Sequence, residues 1–127
     1  MHRFLSLALV AGFAPASAQP TLPRPIQIEL SSFRFEPSVI TLQHGQPYVL
    51  HFVNRSSRSH DFSARTFFDA ASIAPADRSR LTQGKLELKG GDVTDVHIVA
   101  PAPGRYNARC SHFLHSAMGM KAFIVVD

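Results

Sequence analysis

Short segments with β-strand character recur along most of the chain, and turn residues such as Gly and Pro separate them. They are rich in β-branched residues or alternate apolar with polar ones, over 26–30, 39–42, 48–53, 60–68, 85–88, 93–100, 104–110 and 122–126. Strands of this length and spacing are typical of an antiparallel β-sandwich. Residues 69–81 lack the alternation, so we predict an irregular insertion there with one or two helical turns near Pro75.

The N-terminal residues are typical of a secretory signal peptide. Met1-His2-Arg3 gives a basic start, residues 4–13 are mostly apolar, and Ala-Ser-Ala at 16–18 is a small-residue cleavage site. The apolar stretch is roughly half of the about 20 residues that a membrane-spanning helix needs. We therefore predict a signal peptide over 1–18, a proline-rich extended lead-in over 19–25 and one domain over 26–127. The mature protein is expected to be periplasmic and monomeric, with no stable membrane insertion.

The charge of the chain is mildly basic. Removing the leader takes away Arg3 and leaves 12 Lys and Arg residues against 9 Asp and Glu, a formal net charge of +3. No run of basic residues with interleaved aromatics is present in the sequence, so we expect no nucleic-acid partner. A mildly basic surface instead favours encounter with an acidic partner.

Residues 110–120 concentrate side chains that bind soft metals. They contain Cys110, His112, His115, Met118 and Met120, and Cys110 is the only cysteine of the chain. Exported proteins usually pair their cysteines, and metal ligation explains one that stays unpaired. A thiolate, two imidazoles and a thioether are the ligand set that suits copper. This run supplies Cys110, His115 and a methionine, which leaves one histidine to come from elsewhere in the chain.

His60 is the candidate for that histidine, and with it the chain resembles the blue copper proteins, or cupredoxins. The resemblance rests on Asn54 followed by His60, on 104–110, and on the run from His115 to Met120. It covers about 26–127 and is close to the pseudoazurin and plastocyanin branch in its His-to-Met spacing. It implies an all-β Greek-key sandwich of about eight strands. It also implies one copper ion that cycles between Cu(II) and Cu(I), bound by His60, Cys110, His115 and Met120.

Several residues around this site keep alternative roles. Met118 is the rival axial ligand to Met120, and His112 is a rival to His115 or a residue of the exposed rim. The resemblance implies that the residue after the first histidine, Asp61, donates its backbone amide to the thiolate. A carboxylate at this position departs from the family pattern and should lower the reduction potential unless it points outward. The remaining histidines of the domain, His44, His51 and His97, are expected to be structural or solvated.

Three classes of function compete for this sequence. The first is an exported electron carrier, not an enzyme, that serves transient redox partners with an acidic docking surface. In the family the electron leaves through the histidine at His115, and a patch could form there from Phe113, Leu114, Ala117 and Met118, with a basic collar of Arg55, Arg58 and Arg109. The second is a periplasmic copper-delivery protein, in which His112 and Met118 serve metal exchange. The third is catalysis, for which neither a second copper cluster nor an orienting group for a nucleophilic thiol is visible in the sequence.

Overall fold

The computed structural model describes residues 8–14 and 21–127. Residues 8–14 carry no regular secondary structure and are exposed. The predicted cleavage site at 16–18 and the first residues of the predicted lead-in lie outside the described residues. Within the described ranges, no helix is long and apolar enough to cross a membrane.

The described chain is nearly all-β and confirms the predicted sandwich. Its elements are β1 (Arg24–Ser31), β2 (Arg34–Glu36), β3 (Val39–Leu42), β4 (Pro47–Asn54), β5 (His60–Ser63), α1 (Arg65–Ala70), β6 (Ser72–Ile73), a 3₁₀ helix (Pro75–Arg80), β7 (Leu81–Thr82), β8 (Lys85–Leu88), β9 (Val93–Val99), β10 (Gly104–Arg109) and β11 (Lys121–Val126). One sheet has the order β2-β1-β4-β9-β6, and the other has the order β3-β11-β10-β5-β8-β7.

The strand count and two pairings differ from the sequence prediction. The three additional strands, β2, β6 and β7, are only two or three residues long, too short to give a visible alternation. The pairings of β1 with β4 and of β3 with β11 are parallel, so both sheets are mixed. Periodicity reports which face of a strand is buried but not which neighbour it pairs with, so these parallel pairs could not be predicted.

The predicted strand over 60–68 was wrong in its second half. β5 ends at Ser63, and α1 begins at Arg65. The adjacent residues Phe67 and Phe68 are both buried, with 0% and 3% of their surface exposed. Neighbouring side chains point to opposite faces in a strand. A helical turn can direct both phenyl rings into the core. Because this turn begins at Arg65, β5 ends at Ser63.

The core lies between the sheets and reaches the end of the sandwich where β5 begins. In β4 every second residue is buried, and the last two buried residues are Phe52 and Asn54. Phe62 of β5 packs against Phe35 and Phe52, with ring centroids 5.3 Å and 5.0 Å apart. This aromatic packing anchors β5 and so fixes the direction in which its first residue, His60, enters the sandwich.

Asn54 fastens the loop that leads to His60. Its buried side-chain amide donates hydrogen bonds to the carbonyl oxygens of Arg58 (2.7 Å), Leu88 (3.1 Å) and Lys89 (3.1 Å). Its Oδ1 accepts from the backbone N–H of Ser56 at 3.0 Å and from its hydroxyl at 2.8 Å. One side chain therefore joins the end of β4, the loop 55–59 and the end of β8.

Replacing Asn54 by Asp tests this role. The substitution keeps the shape of the side chain and the oxygen that accepts from Ser56. It replaces the Nδ2 amide group, which donates to three carbonyl oxygens, by a second carboxylate oxygen. Buried oxygen acceptors then face one another. We expect a loss of about 2–4 kcal/mol in the free energy of unfolding, measured by denaturant titration at pH 7. The control Gln43→Glu adds a carboxylate at an exposed position and should change stability by less than about 0.5 kcal/mol. Equal effects of the two substitutions would contradict the account.

Candidate metal centre

The predicted metal ligands come from two strand ends and one loop at the same end of the sandwich. His60 is the first residue of β5, Cys110 follows β10, and Met120 precedes β11. β10 and β11 pair as far as Arg109 and Lys121, and the Cys110 N–H then donates to the Met120 carbonyl at 3.1 Å. The loop between Cys110 and Met120 is thus closed at its base by backbone pairing.

Within that loop, consecutive turns direct His115 back toward Cys110. The His115 N–H donates to the His112 carbonyl at 3.1 Å, and the Met120 N–H donates to the His115 carbonyl at 3.0 Å. Gly119 has φ +96°, a conformation that glycine adopts without strain. The eleven residues 110–120 therefore form a loop whose two ends are adjacent, and the His115 imidazole faces Cys110.

Three donor atoms meet where His60, Cys110 and His115 converge. Nδ1 of His60 lies 3.2 Å from Nδ1 of His115, and Cys110 Sγ lies 3.3 Å from His115 Nδ1 and 4.0 Å from His60 Nδ1. Donors bound to one ion at about 2.0–2.3 Å lie roughly 3–4 Å apart, so the spacing matches a single shared metal.

The tautomer of His60 decides whether its Nδ1 can bind a metal. Its Nε2 is buried and, among the described residues, has no hydrogen-bond partner. If Nε2 carries the proton, a buried donor lacks an acceptor; if Nδ1 carries it, a buried Nε2 lone pair lacks a donor. A cation can bind Nδ1 only when the ring carries its proton at Nε2, and in that tautomer it relieves the repulsion between the lone pairs of His60 and His115 that face each other. Together with the soft donor set, the arrangement is consistent with a single type 1 copper site.

The two candidate axial methionines occupy different environments. Met120 is 0% exposed and borders Cys110 through the backbone hydrogen bond, whereas Met118 is 61% exposed. A thioether that ligates a buried ion must itself be buried. The burial of the two side chains therefore favours Met120.

Asp61 connects the two halves of the site. Its backbone N–H donates to Cys110 Sγ at 3.5 Å, as the family resemblance predicted. Its carboxylate does not point outward: it is buried and accepts from the Ser111 N–H at 2.8 Å and from the Ser111 hydroxyl at 2.5 Å. A carboxylate this close to the thiolate favours the more positive oxidation state of a bound metal.

His112 lies beside the donor cluster rather than in it. Its Nε2 is 2.7 Å from Glu87 and 3.7 Å from Asp61, and its ring stacks on the His115 ring with an interplanar angle of 15°. Asp61, Cys110 and His112 form a second group of close donor atoms. No sequence pattern pointed to Glu87, which pairs with Asp61 in the β5–β8 ladder and contacts His112 from there.

Burial changes the acid–base behaviour of two of the donors. Burial raises the pKa of the Cys110 thiol, although the hydrogen bond from the Asp61 N–H opposes the rise. Burial also lowers the pKa of His60, and the charges of His115 and His112 act in the same direction. The metal-free site thus holds a protonated thiol and a neutral His60 imidazole at neutral pH.

The other histidines are held by structural contacts. His44 Nδ1 lies 2.8 Å from the Pro101 carbonyl oxygen. His51 pairs with Asp95, while the ring and backbone N–H of His97 both contact Asp77. None of these three belongs to a candidate metal group among the described residues.

One side of the cluster opens to solvent. A cavity of about 350 Å³ is lined by Ser32, Phe33, Arg58, His60 and His115. The Phe33 ring meets the half-buried His115 ring edge-on, with centroids 5.2 Å apart. Phe33 was missed in the sequence because it sits in the short turn between β1 and β2, outside any recognisable motif.

Exposed apolar side chains stand on the loop around His115. Phe113 is 87% exposed, Leu114 is 58% exposed and Met118 is 61% exposed. Arg55 is paired with Glu29 at 2.5 Å, and Arg109 lines a different part of the surface, so of the three predicted collar residues only Arg58 borders this cavity.

Comparisons with known proteins agree with this architecture. A family model described as a cupredoxin-like domain matches residues 3–126. A search of curated proteins finds no significant match.

Among solved structures, a dithionite-reduced auracyanin from Roseiflexus castenholzii is 24% identical, with TM-score 0.61, covering 81% of this chain and 96% of that one. Auracyanin A, a blue copper protein from Chloroflexus aurantiacus, is 19% identical, with TM-score 0.56 and coverages of 81% and 99%. A multicopper oxidase from Aquifex aeolicus is 12% identical, with TM-score 0.66, and the match covers 88% of this chain but 32% of the oxidase. These likenesses show the fold.

The pKa of Cys110 predicts how metal affinity depends on pH. Because the folded, metal-free thiol keeps its proton at neutral pH, a bound metal must displace it, and affinity rises as pH rises. Between pH 7 and pH 8.5 we expect the Cu(I) affinity to increase by about tenfold per pH unit, measured by competition with a chelator of known affinity. Cys110→Ser should lose most of this slope. A slope shared by both proteins would show that another group releases the proton.

Proposed function

The chain belongs to the cupredoxin-like family, and on that premise we propose that it is an exported blue copper protein that carries single electrons between larger redox proteins. The observation that carries the proposal is the convergence of three donor atoms within 4.0 Å of one another: the sulfur of buried Cys110, a nitrogen of buried His60 and a nitrogen of half-buried His115. Copper held there supplies a one-electron Cu(II)/Cu(I) couple.

Each ligand has a role that follows from its position. Cys110, His60 and His115 would provide the three strong donors to a copper ion, and the buried Met120 would provide a weak thioether donor. Backbone hydrogen bonds fix Cys110 on both sides, through the Met120 carbonyl and the Asp61 N–H. Donors held in this way keep their positions when the charge of the ion changes, which keeps the reorganisation cost of electron transfer small.

Electrons would enter and leave at the loop end of the molecule. His115 is the half-buried ligand, and the exposed Phe113, Leu114 and Met118 form an apolar surface around it. This apolar surface has the basic residue Arg58 at its margin. An apolar surface bordered by a positive charge suits a transient partner that presents an acidic docking surface. Redox encounters of this kind use small interfaces, so that the partners separate quickly.

Export and a non-enzymatic role complete the proposal. The basic start, the apolar stretch and the small residues at 16–18 support export to the periplasm. Among the described residues, the two groups of possible metal ligands share Cys110, so both draw on the same thiol.

Copper delivery is the second candidate function, and the arrangement around His112 favours it. His112 is 32% exposed, and its Nε2 stands near the Asp61 carboxylate, next to the thiol. Together with the exposed Met118, it could receive a metal ion on its way to Cys110. The kinetics of metal exchange and electron exchange separate the two functions. An electron carrier keeps its copper in the presence of a chelator and exchanges electrons rapidly, whereas a copper-delivery protein loses Cu(I) readily.

The visible spectrum of the copper-loaded chain tests the proposed site. Adding one equivalent of Cu(II) should produce an intense thiolate-to-copper charge-transfer band, because Cys110 is a direct ligand. Cys110→Ser should remove the band, while His97→Gln, which changes a histidine outside the donor cluster, should leave it intact. Bound copper without colour in the unaltered protein would contradict the blue-copper proposal and favour delivery.

Separate substitutions of the two methionines identify the axial ligand. Met120→Leu removes a thioether donor from the buried site and should raise the reduction potential by about 60 mV or more, a tenfold change in a one-electron equilibrium. Met118→Leu, a matched change at an exposed position, should leave the potential within about 20 mV, less than half of such a step. Voltammetry measures both. A larger shift in Met118→Leu would reverse the assignment.

A further inference from the structure

A second concave site lies on the flank of the sandwich, away from the loop end. β10 pairs with β11 at six positions, but it pairs with β5 at one position only, Arg109 with Ser63. β5 stops there because the chain turns into α1. A cleft of about 500 Å³ remains between the unpaired side of β10, the start of α1 and the β7–β8 turn.

The walls of this cleft are fixed by close packing. The α1 side is held by Phe67, whose ring meets that of Tyr106 on β10 with centroids 5.6 Å apart. The β7–β8 turn is held at Gly84, whose carbonyl accepts from the Ala64 N–H at 3.0 Å. A Cβ at Gly84 would lie 2.4 Å from the Arg65 Cα, so the turn and the helix start are in direct contact. The cleft is therefore a preformed concavity.

All the charged residues that line the cleft are arginines. They are Arg65, Arg105 and Arg109, and no Asp or Glu from the described residues lines it. Arg65 has only an exposed contact with Asp69 at 3.6 Å, which stabilises little. Arg109 makes no side-chain hydrogen bond or ion pair within the described part of the chain. Three arginine residues thus line one concavity with almost no compensating charge.

Neutral hydrogen-bonding side chains line the cleft beside the arginines, and an aromatic contact restrains one of the arginines. The Cζ atom of Arg105 lies 3.8 Å from the centroid of the Phe123 ring, and this cation–π contact holds the guanidinium on the β11 side of the cleft. Ser63, Thr66 and Asn107 line the same cleft. Guanidinium groups bind carboxylate and phosphate oxygens in bidentate geometry.

We propose that this cleft binds a small organic or inorganic oxyanion with two or more negative charges, a polycarboxylate or a phosphate. Its volume is within the range of small-ligand sites, about 300–1,000 Å³. The cleft and the metal centre share no residue, because none of the lining residues belongs to the donor cluster.

The position of the cleft gives a bound anion an influence on the copper site. Arg109 directly precedes Cys110, and its strand partner Ser63 lies on the strand that begins with His60. A negative charge there stabilises Cu(II) more than Cu(I), and by reciprocity the Cu(II) form binds the anion more tightly. This coupling rests on the proposed function, whereas the anion site does not.

An NMR titration tests the site in both the copper-free and the Cu(I)-loaded chain. Phosphate and citrate are added separately to ¹⁵N-labelled protein, with NaCl holding the ionic strength constant. We expect saturable shifts confined to backbone amides of 63–66 and 105–109 in at least one of the two titrations. The two anions distinguish phosphate from carboxylate chemistry, and the copper-free arm keeps the result independent of copper loading.

Paired charge-loss variants decide whether the cleft is responsible. Arg65→Gln/Arg109→Gln should weaken binding by at least about tenfold, since two charge-assisted contacts are lost. Arg24→Gln/Arg34→Gln removes the same charge from exposed positions on the other sheet and should weaken it less than about twofold. Shifts that never saturate with either anion, or equal weakening in both variants, would overturn the proposal.

Discussion

The mutual approach of three lone-pair donors is the constraint on which the metal end of this molecule depends. Nδ1 of His60, Nδ1 of His115 and Sγ of Cys110 lie 3.2–4.0 Å apart, and His60 Nε2 finds no partner among the described residues. Bringing three polar groups out of water to one place is costly, so the rest of the fold must hold the cluster together. Binding energy is then available for copper because the protein has already ordered the ligands.

Two separate restraints supply this order. The β10–β11 pairing and the Cys110–Met120 hydrogen bond close the loop that carries two of the donors. The Asn54 side chain and the packing of Phe62 position β5, which carries the third. The Asp61 N–H joins the two restraints at Cys110 Sγ. The strand pairing, hydrogen bonds and core packing that hold the ligands therefore also stabilise the sandwich itself.

The sequence predicts the sandwich and the candidate ligands of the C-terminal loop because both leave local patterns, whereas His60, far from that loop in the chain, is predicted through the family resemblance. Alternation marks the longer strands, and the Cys110 to Met120 spacing reflects a single loop. Features that depend on contacts between distant residues leave no such pattern: the parallel pairing of β1 with β4, the buried orientation of Asp61 and the contact of His112 with Glu87. The segment after Ser63 was predicted as strand because its phenylalanines suit either structure, and burial of both Phe67 and Phe68 decides for helix.

X-ray absorption spectroscopy at the copper edge tests the central claim most directly, that a preformed cluster binds copper without rearrangement. Spectra of the loaded chain in the Cu(II) and Cu(I) states should both fit one short copper–sulfur bond and two copper–imidazole bonds, with nearly equal lengths in the two states. A shell without the short sulfur bond, or one that gains or loses an imidazole between the two states, would contradict the account.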